Sequence, residues 1–264
     1  MSIQKIKLIA ESAALKAGKM LKKEFQNFDR STVHLKHQRE VVTKFDLESE
    51  RIIINEIKKS FPDHRILSEE AGENKKDSPC LWIIDPIDGT TNFTMHNPLF
   101  CVSIGVAVKK DNGYELICGV VHAPILGETY VAVKGKGATL NGKKIKVSKT
   151  KEGKVLNAFC HGRDTKYVKQ AIKYFSAQKL GGFDCRQLGS AAIELAYVAA
   201  GRLESIVIPG TNPWDVAAGA LLVREAGGRV SDFAGKEWTV NEKNIAASNR
   251  LVHHELLSIL KKIK

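Results

Sequence analysis

The stretch that decides the fold is residues 81–93, which read LWIIDPIDGTTNF. Its first four residues are large and apolar, a composition typical of a strand that is buried on both faces. Pro86 lacks an amide hydrogen, so we expect sheet pairing to stop there and the strand to end at Asp85. Asp-Gly at 88–89 is a turn dipeptide, and the hydroxyl residues after it suit the start of a helix. The stretch therefore predicts a strand, a sharp turn and a helix in succession.

Two carboxylates, Asp85 and Asp88, stand three residues apart on this turn. There they can converge on one point, and the backbone carbonyl of Ile87 can join them. Oxygen donors suit a hard cation, and Mg²⁺ keeps waters and substrate phosphate oxygens among its ligands. A helix that begins just after the turn also aims N–H groups at an anion. The alternative is that both acids serve only as turn and cap residues.

Upstream of this stretch the sequence predicts two helices. Apolar residues recur at helical spacing and indicate an amphipathic helix over about residues 3–25. Residues 27–40 are polar and basic, which indicates a loop or a weak hairpin. Thr43 and Asp46 have the spacing of a capping box, after which apolar residues continue a second helix to Phe61.

Strands and helices alternate differently in the two halves of the chain. Short apolar runs separated by turn residues predict strands at 65–68, 81–84, 101–108, 116–122 and 128–133. After residue 150, strands are predicted at 155–159, 205–208 and 245–248, and helices at 166–176, 187–201, 214–226 and the C-terminus. We therefore expect an α/β (α+β) protein. Residues 1–150 form an N-terminal α+β half, with helices on an antiparallel sheet, and residues 151–264 form a smaller C-terminal α/β half.

Composition limits the class of protein. A chain of 264 residues can form one large domain or two halves that share a cleft. No segment approaches the roughly 18 consecutive apolar residues of a membrane span, and the first residues lack the apolar core of a signal peptide. The five cysteines are odd in number and form no C-x-x-C pair, which excludes a zinc knuckle and favours a reduced, cytoplasmic setting.

The net charge of +12 has three interpretations. The lysines are scattered and are not interleaved with aromatic residues, which make up 7% of the chain. This pattern favours a solvated surface, with attraction of anionic substrates and binding of nucleic acid as the alternatives. We therefore expect no membrane and no nucleic-acid partner.

Two motifs carry a resemblance to a known family. Residues 85–93 and the later segment 214–219, which reads WDVAAG, resemble the two signature motifs of the inositol monophosphatase family. The resemblance runs from the first helix to the last and includes Ser-Glu-Glu at 68–70. It implies a layered αβαβα sugar-phosphatase fold, a homodimer, and hydrolysis of small phosphate monoesters with two or three Mg²⁺, usually with inhibition by lithium.

The resemblance assigns roles position by position. The metal ligands are matched by Glu69, Asp85, the carbonyl of Ile87, Asp88 and Asp215, with Asp85 between two ions. Read without the family, Glu69 would be surface charge and Asp215 a first-turn helix acid favoured by the dipole. The catalytic positions are Glu69, Asp85 and Thr90. Thr90 matches the hydroxyl that orients the attacking water, and its alternative role is a helix N-cap.

Further positions match the substrate side of the site. The substrate-binding set comprises the N–H groups of Gly89 and Thr90 and the segment Gly189, Ser190 and Ala191, for which close helix packing is the alternative. Asp46 matches an acid near a third, weaker metal, and its alternative role is the capping box. Lys36 matches a loop lysine near the site, and Arg186 a structural or interface arginine.

The substrate itself is left open by the sequence. Some inositol phosphatases carry a glutamate that contacts a ring hydroxyl, and its position falls on Ile208 here, which argues against strict inositol specificity. Thr211 and Asn212 are alternative hydroxyl contacts. We expect direct attack by water, without a phosphoenzyme, on an inositol monophosphate or related sugar phosphate. The alternatives are a fructose-1,6-bisphosphatase or dual enzyme and, in a different class, an RNA- or protein-binding module.

Overall fold

The computed structural model describes residues 2–29, 34–35, 41–111, 113–151 and 155–263, so Lys36 lies outside the described residues. Within them the helices are α1 Ile3–Asn27, α2 Lys44–Ser60, α3 Thr90–Thr94, α4 Thr165–Leu180, α5 Ala191–Ala199, α6 Pro213–Glu225 and α7 His253–Lys262. The first seven strands are β1 His34–Leu35, β2 Val41–Val42, β3 Arg65–Ser68, β4 Gly72–Glu73, β5 Cys80–Asp88, β6 Cys101–Lys110 and β7 Gly113–Ala123. The others are β8 Glu128–Val133, β9 Gly137–Leu140, β10 Lys143–Ile145, β11 Leu156–Phe159, β12 Asp184–Arg186, β13 Ser205–Pro209, β14 Arg229–Ser231 and β15 Asn244–Ser248.

The strands form two large sheets and one short hairpin, β1–β2. Strands β3 to β10 form an eight-stranded sheet in the order β10-β9-β8-β7-β6-β5-β3-β4. All pairs in it are antiparallel except β3–β5, which is parallel. The prediction of an antiparallel sheet is therefore wrong at β3. Strand β4 runs antiparallel to β3 and returns the chain to the end where β3 began, so β5 starts there and runs parallel to β3.

The second sheet has five strands in the order β12-β11-β13-β15-β14. In it β11 is parallel to both β12 and β13, so the loops that follow β11 and β13 leave the same edge. β15 is antiparallel to β13 and to β14. The short strands β4, β9, β10, β12 and β14 have too few residues to show an alternating pattern, and the sequence did not predict them.

Three hydrophobic cores show how the layers stack. Helices α1 and α2 pack on one face of the large sheet, and α5 and α6 fill the space between the two sheets. Helices α4 and α7 cover the outer face of the small sheet. The order of layers is αβαβα, which confirms the predicted fold. In β5, Leu81 and Ile83 face the inner core while Trp82 and Ile84 face the outer one.

Helix α6 lies unusually close to the large sheet because two strand residues there are glycines. A Cβ atom at Gly105 would lie 2.8 Å from the Cβ of Ala217, and one at Gly119 would lie 2.7 Å from the carbonyl oxygen of Ala218. Glycine is thus required for this close approach. The packing fixes the height of α6 over the sheet and, with it, the position of Asp215 in the first turn of the helix.

Two predicted boundaries need correction. Strand β5 does not end at Asp85 but continues to Asp88, because β6 pairs with both Asp85 and Asp88 and the ladder skips the residues between them in a bulge. The helix predicted for 187–201 begins only at Ala191, since Gly189 has a left-handed backbone (φ +82°) and Ser190 is the N-cap. Among the described residues, we find no helix with the length and apolarity of a membrane span.

Candidate active site

A cleft of about 770 Å³ opens between the end of β5, the N-termini of α5 and α6, and the loops that follow β11 and β13. Besides Asp164 on the loop after β11, the cleft is lined by the four acids Glu69, Asp85, Asp88 and Asp215. They come from three separate segments of the chain, so the fold brings together the acids that the resemblance groups. Thr90 lines the same cleft.

The bulge in β5 places the two acids of the central motif. Asp85 is 2% exposed and Asp88 is 9% exposed, yet both reach the floor of the cleft. Asp85 Oδ1 accepts a hydrogen bond from the amide of Ile87 at 3.0 Å. The side chain of Ile87 is buried in the outer core, so this residue is anchored on one side while its backbone borders the cleft.

The N-terminus of α5 holds Asp88. Its Oδ2 accepts hydrogen bonds from Ser190 Oγ at 2.6 Å and from the amide of Ala192 at 2.7 Å, and its Oδ1 accepts one from the amide of Ala191 at 3.3 Å. Burial raises the pKa of Asp88, and these bonds oppose the shift. The positive end of the helix therefore stabilises the carboxylate.

Asp215 closes the first turn of a helix and also reaches the cleft. It closes a capping box at the start of α6, where its Oδ2 accepts a hydrogen bond from the amide of Asn212 at 2.7 Å. Its side chain also lines the cleft beside the other acids. Burial and the charge of Asp88 raise its pKa to about 7, while that hydrogen bond and the charges of Arg163 and Lys243 oppose the shift.

The acids raise one another's pKa values. Burial and the charge of Asp215 raise the pKa of Glu69 to about 8, and a hydrogen bond with Asp85 opposes that shift. Burial and the charge of Glu69 raise the pKa of Asp85 well above its ordinary value. Like charges in a low-dielectric cleft favour the protonated forms, and a bound cation would reverse this preference.

The donor set is suited to a hard cation, although it is not a preformed cage. Among the residues that the structure describes, no three Asp, Glu, His or Cys side chains converge closely enough to hold a metal by themselves. Mg²⁺ does not require such convergence, because it is usually bound through one or two carboxylates together with waters and phosphate oxygens. The all-oxygen chemistry of the donors therefore fits the ion.

Thr90 is linked to an acid behind the wall of the cleft. Thr90 Oγ1 lies 2.9 Å from Asp46 Oδ1 and 3.0 Å from the carbonyl oxygen of Ile87. The other oxygen of Asp46 accepts hydrogen bonds from the amide and the hydroxyl of Thr43, both at 2.7 Å, which confirms the predicted capping box. Burial raises the pKa of Asp46 to about 6.

The residues matched to substrate binding divide into two groups. Gly89, Thr90, Gly189 and Ala191 line the cleft. Ser190 is fully buried, and its hydroxyl donates to Asp88. Arg186 lies away from the cleft, where it pairs with the exposed Asp184 at 3.2 Å.

The opposite wall contains residues that sequence reasoning missed. Arg163 and Tyr167 come from the loop after β11 and the first turn of α4, and Lys243 from the loop before β15. A Cβ atom at Gly162 would lie 2.0 Å from the carbonyl oxygen of Gly210, so the loops after β11 and β13 touch through their backbones. Because β11 and β13 are parallel, the loops that follow them lie at the same edge of the sheet. No sequence motif indicates that the side chains of these loops belong to the site.

The structure also shows the surroundings of Ile208, which stands where some inositol phosphatases have a ring-binding glutamate. Ile208 is 2% exposed and presents an apolar side chain at the border of the cleft. The amide of Thr211 donates to the carbonyl oxygen of Lys243 at 2.7 Å, and its hydroxyl donates to that of Asn212 at 2.8 Å. The hydroxyl of Thr211 is thus engaged within the protein, while Asn212 lines the cleft.

This five-layer fold with an acidic cleft is that of a sugar-phosphatase-like protein, and comparison identifies its family. A model described as "Inositol monophosphatase family" matches residues 2–264, and the chain belongs to that family. It is 44% identical over 225 residues to a Thermotoga maritima protein named fructose-1,6-bisphosphatase/inositol-1-monophosphatase, which covers 85% of this chain and 84% of the relative. It is 40% identical over 253 residues to Escherichia coli Nus factor SuhB, covering 95% and 93%.

A solved structure supports the same assignment. The inositol monophosphatase from Anabaena superposes with a TM-score of 0.87 at 34% identity, covering 100% of this chain and 98% of the other. The alignment therefore includes both sheets and all the segments that build the cleft.

Proposed function

We propose that this protein is a Mg²⁺-dependent phosphatase that hydrolyses a small phosphate monoester, an inositol monophosphate or a related sugar phosphate. The observation that carries the proposal is the meeting of Glu69, Asp85, Asp88 and Asp215 in one cleft. A set of buried acids that raise one another's pKa values destabilises the protein unless it binds a cation. Membership in the inositol monophosphatase family supports the same chemistry.

In this proposal the four acids and the carbonyl of Ile87 would hold two Mg²⁺, and Asp46 matches the acid that the family places near a third. Bound Mg²⁺ neutralises phosphate oxygens and lowers the pKa of water, which allows hydroxide to approach a dianion. Gly89 and Thr90 offer backbone N–H groups to the phosphate at the start of α3.

Thr90 orients the attacking water. Its hydroxyl carries one proton and lies near two acceptors, Asp46 and the carbonyl of Ile87, so a lone pair of Oγ1 remains available to the cleft. A water that donates to this lone pair has its own oxygen free to attack phosphorus. The water oxygen forms the new P–O bond and the ester P–O bond breaks. The attacking water gives up one proton and the leaving alkoxide takes up one, so the number of protons does not change. No bond to the protein forms at any step.

The test is phosphate release from purified protein with inositol 1-phosphate, fructose 1,6-bisphosphate, NADP and adenosine 3′,5′-bisphosphate, each in Mg²⁺ and in EDTA. We expect release from at least one sugar or inositol phosphate in Mg²⁺ only. Release that persists in EDTA, or no release from any substrate, contradicts the proposal. Acid quench after mixing with ³²P-substrate tests the direct mechanism, since a labelled protein band would show a phosphoenzyme.

The cations of the opposite wall favour a substrate with a second anionic group. Two cations, Arg163 and Lys243, and one acid, Asp164, line this wall, so its cations outnumber its acids. Apolar Ile208 occupies the position of the ring-binding glutamate. A second phosphate on a sugar bisphosphate would be attracted to this wall. The name of the Thermotoga maritima relative includes both fructose-1,6-bisphosphatase and inositol-1-monophosphatase, so dual activity is part of the proposal.

A second candidate function is an interaction with RNA or with another protein. Relatives 40% identical to this chain are named Nus factor SuhB, and the net charge of +12 would favour a polyanion. Binding of RNA that falls steeply with salt, together with no Mg²⁺-dependent phosphate release, would favour this candidate over the enzyme. Both results together would indicate two functions.

The remaining expectations are also part of the proposal. They are inhibition by lithium, a homodimer and a cytoplasmic location, which follow from the family resemblance and from the cysteine pattern. Phosphate release with added LiCl and sedimentation of the purified protein would test the first two.

A further inference from the structure

Helix α2 presents three polar side chains to the protein interior on one face. Asp46, Ser49 and Glu50 are spaced i, i+3 and i+4, so they lie next to one another on the helix surface. Their exposed fractions are 1%, 0% and 5%. The same face continues with the buried Ile53 and Ile57, so the polar residues interrupt a face that would otherwise be apolar. Buried polar groups are retained only with partners, and each of these three has one on a segment that carries residues of the cleft.

Glu50 holds the turn that carries Glu69. Its Oε1 accepts hydrogen bonds from the amide of Glu70 at 3.1 Å, from the amide of Ala71 at 3.0 Å and from the hydroxyl of Ser68. The residues on both sides of Glu69 are thereby tied to one carboxylate oxygen. The backbone at Glu69 has little freedom to move relative to α2.

Ser49 holds the bulge of β5. Its hydroxyl donates to the carbonyl oxygen of Pro86 at 2.8 Å, and both groups are buried. Pro86 lies in the segment that the sheet ladder skips, where a carbonyl has no partner on the neighbouring strand. The bond fixes the peptide just before Ile87, whose carbonyl is one of the proposed metal donors.

We propose that Ser49 and Glu50 are positioning residues that set the geometry of the metal donors at Glu69 and Ile87. This inference rests on the proposed function, because it assigns those donors to Mg²⁺. Neither residue lines the cleft. They act through the backbone of the two segments that carry the proposed metal donors. In known metal sites, loss of residues that hydrogen-bond to the ligands typically weakens metal affinity by about 10- to 100-fold.

The same helix supplies a matched control. Glu56 is 9% exposed, comparable to Glu50, but its Oε1 accepts from Ser12 at 2.9 Å and from Lys16 at 2.6 Å, both on α1. Removing its carboxylate costs part-buried hydrogen bonds of similar number on the side of α2 away from the cleft. A general loss of stability would affect the Glu50 and Glu56 variants alike, whereas loss of positioning would affect only the former.

The experiment measures Mg²⁺ binding directly by isothermal titration calorimetry, alongside thermal unfolding and phosphate release, for wild type, Glu50→Ala, Glu50→Gln, Ser49→Ala and Glu56→Ala. We expect Glu50→Ala to weaken Mg²⁺ binding at least tenfold and Ser49→Ala severalfold. Glu50→Gln keeps an oxygen acceptor and should stay within about threefold of wild type. Glu56→Ala should lower the unfolding temperature and leave Mg²⁺ affinity unchanged.

The outcomes separate the two proposals. If wild type binds Mg²⁺ and folded Glu50→Ala and Ser49→Ala bind it equally well, the positioning role is wrong and the proposed function stands. An equal loss of affinity in Glu56→Ala also overturns the positioning role. If wild type neither binds Mg²⁺ nor releases phosphate, both proposals fail. If Glu50→Ala does not fold, Glu50→Asp, whose carboxylate is about one bond shorter, replaces it. Weaker Mg²⁺ binding than wild type would then support the positioning role, and equal binding would overturn it.

Discussion

The two walls of the cleft are built differently. On the N-terminal wall, the acids of β5 are buried and Glu69, on the turn after β3, is half-buried. Helices α2 and α5 hold these segments through hydrogen bonds. On the C-terminal wall, the loops after β11 and β13 touch through glycine backbones. The exposed side chains there are Arg163, from the loop after β11, and Lys243, from the loop before β15. The N-terminal wall can therefore fix the geometry of the reaction, because hydrogen bonds hold its acids. The exposed side chains of the C-terminal wall can be replaced without disturbing a hydrophobic core. The reaction type and the choice of substrate are therefore separable.

The largest expected effect concerns Asp85 on the buried wall. Asp85→Asn keeps the oxygen that accepts from the amide of Ile87 but removes the charge. If the acids hold Mg²⁺, kcat should fall by about 10³-fold or more, which is about 4 kcal/mol of transition-state stabilisation. Asp184→Asn, a change at an exposed acid away from the cleft, is the control. Wild-type turnover by Asp85→Asn at saturating Mg²⁺ would rule out its metal-bridging role.

A smaller effect is expected from glycine substitutions, which should lower stability near the core and raise KM at the C-terminal wall. Gly119→Ala places a Cβ atom against the backbone of α6, which has no room to move between the sheets, so unfolding free energy should fall by about 1–3 kcal/mol. Gly162→Ala forces two exposed loops apart instead, and we expect mainly a higher KM. Urea unfolding and steady-state kinetics of both variants provide the check. Equal stability losses would show that the C-terminal wall is as rigid as the core.

The cations of the C-terminal wall should control affinity alone. Arg163→Ala and Lys243→Ala should each raise KM for fructose 1,6-bisphosphate about tenfold, equivalent to about 1.4 kcal/mol, with kcat nearly unchanged. KM for inositol 1-phosphate should change much less, because it carries no second phosphate. Lys166→Ala, on the neighbouring turn but outside the cleft, is the matched control. Equal effects on both substrates would contradict a role in recognising a second phosphate.

A further expected effect, on stability rather than on turnover, lies outside both walls at His253 under the small sheet. Its ring nitrogens are 2.9 Å from Ser231 Oγ and from Ser248 Oγ, and burial lowers its pKa from 6.5 to about 4. The unfolded chain therefore binds a proton that the folded chain excludes, so stability is full above pH 6.5 and declines as pH falls toward 4. The loss is at most about 1.4 kcal/mol per pH unit.

Comparison of His253→Gln with His254→Gln, a change at the exposed neighbour, tests this linkage by urea unfolding at pH 7, 5.5 and 4.5. The decline between pH 7 and 4.5 should be smaller in His253→Gln than in wild type and unchanged in His254→Gln. A decline that is identical in all three proteins would assign the acid sensitivity to other groups.

Much of the buried wall was predictable because its signals are local. The apolar run at 81–84 indicated a buried strand, and the capping box at Thr43 located the start of α2. The end of β5 was missed because a proline predicts a break only where the strand must pair. Here β6 pairs on both sides of Pro86, and a bulge accommodates the missing donor.

The positioning residues and the opposite wall were not predictable in the same way. Ser49 and Glu50 gave one readable signal, since they are polar residues on the otherwise apolar face of a helix, but their partners lie 18 to 37 residues away. Arg163 and Lys243 are 80 residues apart in sequence and meet only because β13 lies between β11 and β15. No periodicity or spacing records such a meeting.

The close packing of α6 on Gly105 and Gly119 also bears on how the chain can be divided. This helix belongs to the second half of the sequence, yet it covers the inner face of strands from the first half. A fragment that ends at residue 150 would expose that face, a broad apolar surface with no cover. Such fragments are expected to aggregate when they are made alone and to recover solubility when residues 151–264 are supplied in trans. We therefore propose that the two predicted halves, on either side of residue 150, fold together and not as independent units.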